Sequence, residues 1–220
     1  MNNSKAIIFD MDGVLVDSES YWKQAEFEVF TSLGVVVSDE LTNQTKAMTT
    51  LEVTRFWFER FPWDDLSLEV VEQLVVSRVI ALIETEDCLI KGVKSFVEKL
   101  KDKNYKIGLA TNSPERIIPV VLKKLDALHL FDVILSADSE IKGKPDPAIY
   151  LSAAKKLGTE PEACLVIEDS YSGMLAAKNA GMKVMAFTNG GVAKNAPLAD
   201  FYLNSFESDE LEFYEGNNLI

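Results

Sequence analysis

Two aspartates one residue apart close the first apolar run of this chain, in Ile7-Ile8-Phe9-Asp10-Met11-Asp12-Gly13-Val14. A strand that runs into carboxylates places them beyond the carboxyl edge of a sheet, where open α/β folds gather their reactive groups. One carboxylate there can attack an electrophile while the other moves a proton. An acidic turn reads the same way, so the pair gains its meaning from later segments. In Ile107-Gly108-Leu109-Ala110-Thr111-Asn112-Ser113-Pro114 a second strand ends in a hydroxyl, an amide and a hydroxyl before a proline. The N–H groups of a helix start suit a phosphate oxygen, and the Thr111 hydroxyl and Asn112 side chain add donors. Plain N-capping by Ser113 is the competing reading.

Lys142-Gly143-Lys144-Pro145-Asp146-Pro147 pins Lys144 between a glycine and a proline. Val166-Ile167-Glu168-Asp169-Ser170 again runs a strand into paired carboxylates. Asp10, Asp12, Glu168 and Asp169 would then converge at one sheet edge, and crowded like charges raise each other's pKa. A divalent cation relieves that crowding, and oxygen ligands without His or Cys suit Mg²⁺ better than zinc. Lys144 would hold the remaining charge.

Composition narrows the field. The chain has 220 residues, 47% of them hydrophobic, which is enough for one large domain or two small ones. A net charge of −13 argues against nucleic acid or an anionic membrane as partner. It also means that an anionic substrate needs a local cation. Cys88 and Cys164 have no metal-ligand spacing and read as buried free thiols of a reducing cytoplasm. The start of the chain lacks a signal-peptide pattern, and no run of about 18 apolar residues exists to span a membrane. His129 is the only histidine, which argues against a mechanism built on a histidine base.

The elements that must position these residues fall into two patterns. Residues 5–10 read as a buried strand. From Glu19 to Gly34 the apolar spacing is helical, and Thr49–Arg60 and Ser67–Glu84 also read as helices. No strand-like run interrupts residues 19–85. After Gly92 strands and helices alternate: helix Val93–Lys103, strand Tyr105–Thr111, helix Pro114–Leu125, strand Phe131–Ser136, helix Pro147–Leu157, strand Cys164–Glu168, helix Ser172–Ala180 and strand Lys183–Phe187. This alternation predicts an α/β fold, a doubly wound, mostly parallel Rossmann-like sheet. The first strand belongs to it, so the all-helical unit is a small cap inserted after that strand. The expected division is 1–16 and 90–220 for the core and 17–89 for the cap. Residues 206–220 read as a terminal helix.

With its motifs in this order, the chain resembles the haloacid dehalogenase superfamily of aspartate-nucleophile phosphatases, over nearly its whole length. The motifs are Asp10-Met11-Asp12-Gly13-Val14, the strand ending at Thr111, Lys144-Pro145 and Glu168-Asp169. The resemblance implies that Asp10 attacks phosphorus to form an aspartyl phosphate. It further implies that Asp12 protonates the leaving oxygen and later activates water. Asp10, the Asp12 carbonyl, Glu168 and Asp169 would hold Mg²⁺, and Thr111, Asn112 and Lys144 would bind the phosphoryl group. The cap resembles that of the β-phosphoglucomutase and small-sugar-phosphatase branch, and Asp12–Glu19 followed by Tyr21-Trp22 looks closest to 2-deoxyglucose-6-phosphate and hexitol phosphatases.

The resemblance therefore implies a Mg²⁺-dependent phosphatase of small sugar or sugar-alcohol phosphates, a cytoplasmic monomer by default. A β-phosphoglucomutase-type mutase is the alternative. Mutases of this branch carry a histidine where Trp22 stands and a phosphate-binding arginine near Lys46–Thr50, aligned with Thr49. The cap offers Lys46 or Arg55 as cations. Trp22 reads as a cap core residue, and Asp17 and Glu19 either contact the sugar or cap the first cap helix, with capping favoured. A silent relative would have lost the nucleophile or a metal ligand, and Asp10, Asp12, Lys144 and Asp169 are all present.

Overall fold

A computed structural model of the chain describes residues 5–45, 48–191 and 196–208. Six strands form one sheet: β1 (Ala6–Phe9), β2 (Lys106–Thr111), β3 (Val133–Ser136), β4 (Cys164–Glu168), β5 (Lys183–Phe187) and β6 (Phe201–Leu203), in the order β3-β2-β1-β4-β5-β6. Every pairing is parallel. The succession reverses at β1, which lies between β2 and β4, and a crevice opens beyond its carboxyl end. Phe9 is level with Leu109 on β2 and Ile167 on β4, so the residues that follow all three strands emerge together.

The strands are apolar on both faces because helices cover both. Ile7 and Phe9 of β1, with Leu165 and Ile167 of β4, face α5 (Val93–Asp102) and α6 (Ile118–Leu125). Ala6, Ile8, Cys164 and Val166 face α7 (Ala148–Leu157) and α8 (Tyr171–Asn179). This period-two division is what a pleated strand imposes.

Residues 19–85 form α1 (Glu19–Ser32), α2 (Asp39–Thr45), α3 (Thr50–Arg60) and α4 (Leu68–Thr85), with no strand among the described residues. Their centre is aromatic. Phe30 lies 5.9 Å from Trp57 and 6.2 Å from Trp63, ring centre to ring centre. Thr49 caps α3 with its hydroxyl while Glu52 reaches back to the Thr49 backbone. The chain leaves the sheet and returns to it side by side: Asp17 N–H donates to the Cys88 carbonyl (2.8 Å) and Ile90 N–H to the Leu15 carbonyl (3.0 Å).

Several expectations change. Helix α2 is short and polar, so no apolar period announces it, and β6 is three residues at the sheet edge. Helix α6 starts at Ile118 rather than Pro114, because Ser113 turns its hydroxyl away from the helix and Glu115 N–H is taken by Asp138 (2.8 Å). Ser18, not Asp17 or Glu19, occupies the cap position of α1, and Glu19 instead pairs with Lys23 at 2.6 Å. Both cysteines are free and buried. His129 sits in a single 3₁₀ turn, Leu128–Leu130. No helix of the described residues is long and apolar enough to cross a membrane. Lys46 and the expected terminal helix beyond Ser208 lie outside the described residues.

Candidate active site

The inner half of the site is built around one lysine. Lys144 is 4% exposed, and its three ammonium protons meet three acceptors: Asp10 Oδ1 at 2.5 Å, Glu168 Oε1 at 2.7 Å and the Ala110 carbonyl at 2.9 Å. Glu168 is fully buried. Its Oε1 also accepts from the Tyr150 hydroxyl (3.0 Å), and its Oε2 from the Ser170 backbone N–H and hydroxyl (both 2.9 Å). Four donors thus fill the acceptor positions of that carboxylate. Gly173 on α8 makes the room, since a Cβ there would lie 1.6 Å from Glu168 Oε1.

Burial, the largest influence on Asp10, pushes its carboxyl upward; Lys144 opposes this, while Glu168 and Asp12 add to it. Asp169 is pushed up as well, by the surrounding protein and then by Glu168, Asp10 and Asp12. Burial alone would lower the Lys144 ammonium, but Asp10 and Glu168 hold it well above its usual range. One oxygen each from Asp10, Glu168 and Asp169 lies within 4.8 Å of the others. An all-carboxylate set with two members pushed up by burial, and further by one another's charge, fits a hard divalent cation. The Asp12 carboxylate is not part of that set. Gly13 turns the chain beneath Asp169 with φ +78°, and a Cβ there would meet Asp169 Oδ2 at 2.1 Å.

The outer half surrounds Asp12 with uncharged donors. Its Oδ1 accepts from the Ser18 hydroxyl (2.5 Å) and the Trp22 indole N–H (3.0 Å). Its Oδ2 accepts from the Ser113 hydroxyl (2.5 Å), with the Thr111 hydroxyl at 3.5 Å. Asn112, expected to donate to a phosphoryl group, brackets the Lys144 backbone: its Oδ1 accepts from Lys144 N–H (2.8 Å) and its Nδ2 reaches the Lys144 carbonyl (3.4 Å). Asp10, Asp12, Thr111, Asn112, Lys144, Glu168 and Asp169 therefore meet at one edge. Beside them a cavity of about 330 Å³ opens between α3, α4 and the loops at Asn112 and Asp138–Gly143.

A family model for haloacid dehalogenase-like hydrolases matches residues 4–181. The chain belongs to this family. It is 39% identical to hexitol phosphatase B of Escherichia coli strain K12 over 205 residues, covering 91% of each chain. It is 36% identical to the phosphorylated carbohydrates phosphatase of Thermotoga maritima over 182 residues, covering 81% of this chain and 82% of that one. The crystal structure of β-phosphoglucomutase from Clostridium difficile superimposes with a TM-score of 0.82 at 24% identity over 98% of both chains, a likeness of fold.

Within this haloacid dehalogenase-like chain, sequence reasoning missed Tyr150, Ser170, Ser18 and the role of Ser113. Tyr150 lay hidden in the apolar face of α7 and Ser113 in a plausible cap. Trp22 packs against the apolar cluster, as its helical spacing implies, and its N–H also reaches Asp12.

Proposed function

We propose that the chain is a Mg²⁺-dependent phosphatase of small sugar or sugar-alcohol monophosphates, working through a phosphoaspartate on Asp10. The observation that carries this reading is the buried contact of Lys144 with Asp10 and Glu168 beside Asp169. Two relatives named for phosphorylated carbohydrate or hexitol substrates support the substrate class. Asp10 and Asp169 would hold Mg²⁺ with the Asp12 carbonyl, and Glu168, its oxygens already occupied, would act behind them. The ion would supply charge neutralisation for the transferring phosphoryl group.

Asp10 attacks phosphorus through the oxygen that Lys144 leaves free. Lys144 and the Thr111 hydroxyl stabilise the phosphoryl oxygens, and Asp12 gives its proton to the leaving oxygen. Asp12 then takes a proton from the water that opens the phosphoaspartate. Phosphoryl transfer is mostly placement and charge stabilisation, which suits a site of fixed charges. Residues 17–89 act as the cap that excludes water from the leaving-group side. The paired crossings at Asp17–Cys88 and Leu15–Ile90 support that division. The two free thiols support a reducing cytoplasm, and a monomer leaves the cap free to move.

The mutase alternative needs a cation for a second phosphate. Thr49 stands as a helix cap at the aligned position, and Arg55 is the one cation among the described residues lining the cavity, beside Glu52, Glu72, Asp138 and Glu140. The experiment is phosphate release from hexose, deoxyhexose, pentose, hexitol and glycerol phosphates, with Mg²⁺ and with EDTA, beside Asp10→Asn. Mg²⁺-dependent release that the variant lacks is expected. Conversion of β-glucose 1-phosphate to glucose 6-phosphate with a bisphosphate primer, without release, would overturn it in favour of the mutase.

A further inference from the structure

We propose that Trp22 is a positioning residue that sets the direction of the Asp12 carboxylate, and so ties proton transfer to the seating of α1. The inference rests on the phosphatase reading, in which Asp12 protonates the leaving oxygen. Of the donors around Asp12, the hydroxyls of Ser18, Ser113 and Thr111 sit on rotors that follow the carboxylate as it turns. The Trp22 donor does not. Its N–H lies in the plane of a rigid ring, and that ring packs against the apolar cluster shared by the helical region and the sheet. The indole therefore presents its proton along one line, and the Oδ1 that accepts it at 3.0 Å is held to that line. Trp22 belongs to α1 while Asp12 follows β1, so a shift of α1 over the sheet edge moves the donor relative to the acid. A general acid works only when aimed, and small displacements lose much of its effect.

Trp22→Phe keeps a packed ring and removes the N–H; Trp22→His restores a ring N–H. The substrates are a hexitol monophosphate, whose alkoxide needs a proton to leave, and 4-nitrophenyl phosphate, whose nitrophenolate leaves without one. For Trp22→Phe on the hexitol phosphate, kcat falls about tenfold and KM stays within about twofold. On 4-nitrophenyl phosphate, kcat/KM stays within about twofold of the unaltered protein, because that parameter covers only steps up to the first loss of the leaving group. Trp22→His recovers most of the hexitol phosphate rate. Equal losses on both substrates, a rise in KM with kcat retained, or a Trp22→His variant as slow as Trp22→Phe would each overturn the proposal. An unaltered protein that hydrolyses neither substrate with Mg²⁺ sinks the phosphatase reading itself, and this inference with it.

Discussion

At the sheet edge Glu168 is fully buried and accepts from Lys144, Tyr150 and Ser170. In the helical region Glu26 on α1 is half-buried, and burial alone pushes its carboxyl up to about 7. The two glutamates show where this fold invests its polar contacts. Buried charge is tolerated when opposite charge and hydrogen bonds meet it, and an unmatched carboxyl protonates instead. The sheet edge has that matching because phosphoryl chemistry needs fixed charge. The helical region is held chiefly by apolar contacts around Phe30 and Trp57.

Lys144→Met should break the matched side hardest. It leaves Asp10, Glu168 and Asp169 crowded without their cation, so we expect activity to fall at least about a hundredfold. Stability in EDTA should drop by about 3 kcal/mol, measured by denaturant unfolding, since removing one partner of a buried pair strands the other. Gly173→Ala tests the same network without touching a charge. The new Cβ would overlap Glu168 Oε1 and drive it off Lys144 and Tyr150. We expect about 2 kcal/mol of destabilisation and about a tenfold loss of activity. A Gly173→Ala protein that unfolds and turns over like the unaltered one would mean that Glu168 does not need its four donors.

Glu26→Gln tests the unmatched side. The folded pKa of Glu26, about 7, lies above the unfolded value of 4.5, so the folded state binds its proton more tightly. The stability this group contributes is full below about pH 4.5 and is lost as pH rises through about 7. Glu26→Gln should therefore unfold like the unaltered protein at pH 4 and be more stable at pH 8, by about 1–2 kcal/mol once its partial exposure is allowed for. Equal melting curves at pH 8 would show that water reaches the carboxylate.

What could be read in advance follows the same division. Strand ends were legible because runs of Ile, Val and Phe stop at polar residues, as at Asp10, Thr111 and Glu168, and the pattern recurs at three strand ends although each alone has a plainer reading. Lys144 was legible because its glycine and proline neighbours fix a loop. Tyr150 was not, because a tyrosine on the inner face of α7 looks like any core aromatic until its hydroxyl is seen against Glu168. Ser18 and Trp22 reach back across the turn after Met11 to Asp12, a contact with no sequence period. Asn112 was legible as a donor beyond β2, but its contact with the Lys144 backbone was not, because the two lie on loops far apart in the chain. Helix α2 and strand β6 were too polar or too short for periodicity to report.

The smallest effect concerns the two oxygens of Asp12. Ser113→Ala removes the shorter of the two hydroxyl contacts on Oδ2, and we expect kcat on a hexitol phosphate to fall about fivefold, equivalent to about 1 kcal/mol, typical of one hydrogen bond. Ser113 sits after β2 and Trp22 on α1, so the two grip the carboxylate from opposite regions of the molecule. Once either grip is gone the carboxylate can already turn, and losing the second adds less. The Ser113→Ala, Trp22→Phe double variant should therefore be faster than the product of the single losses predicts, by about threefold. Strict multiplication of the two losses would mean that each donor acts on its own, and that the helical region and the sheet edge do not share control of Asp12.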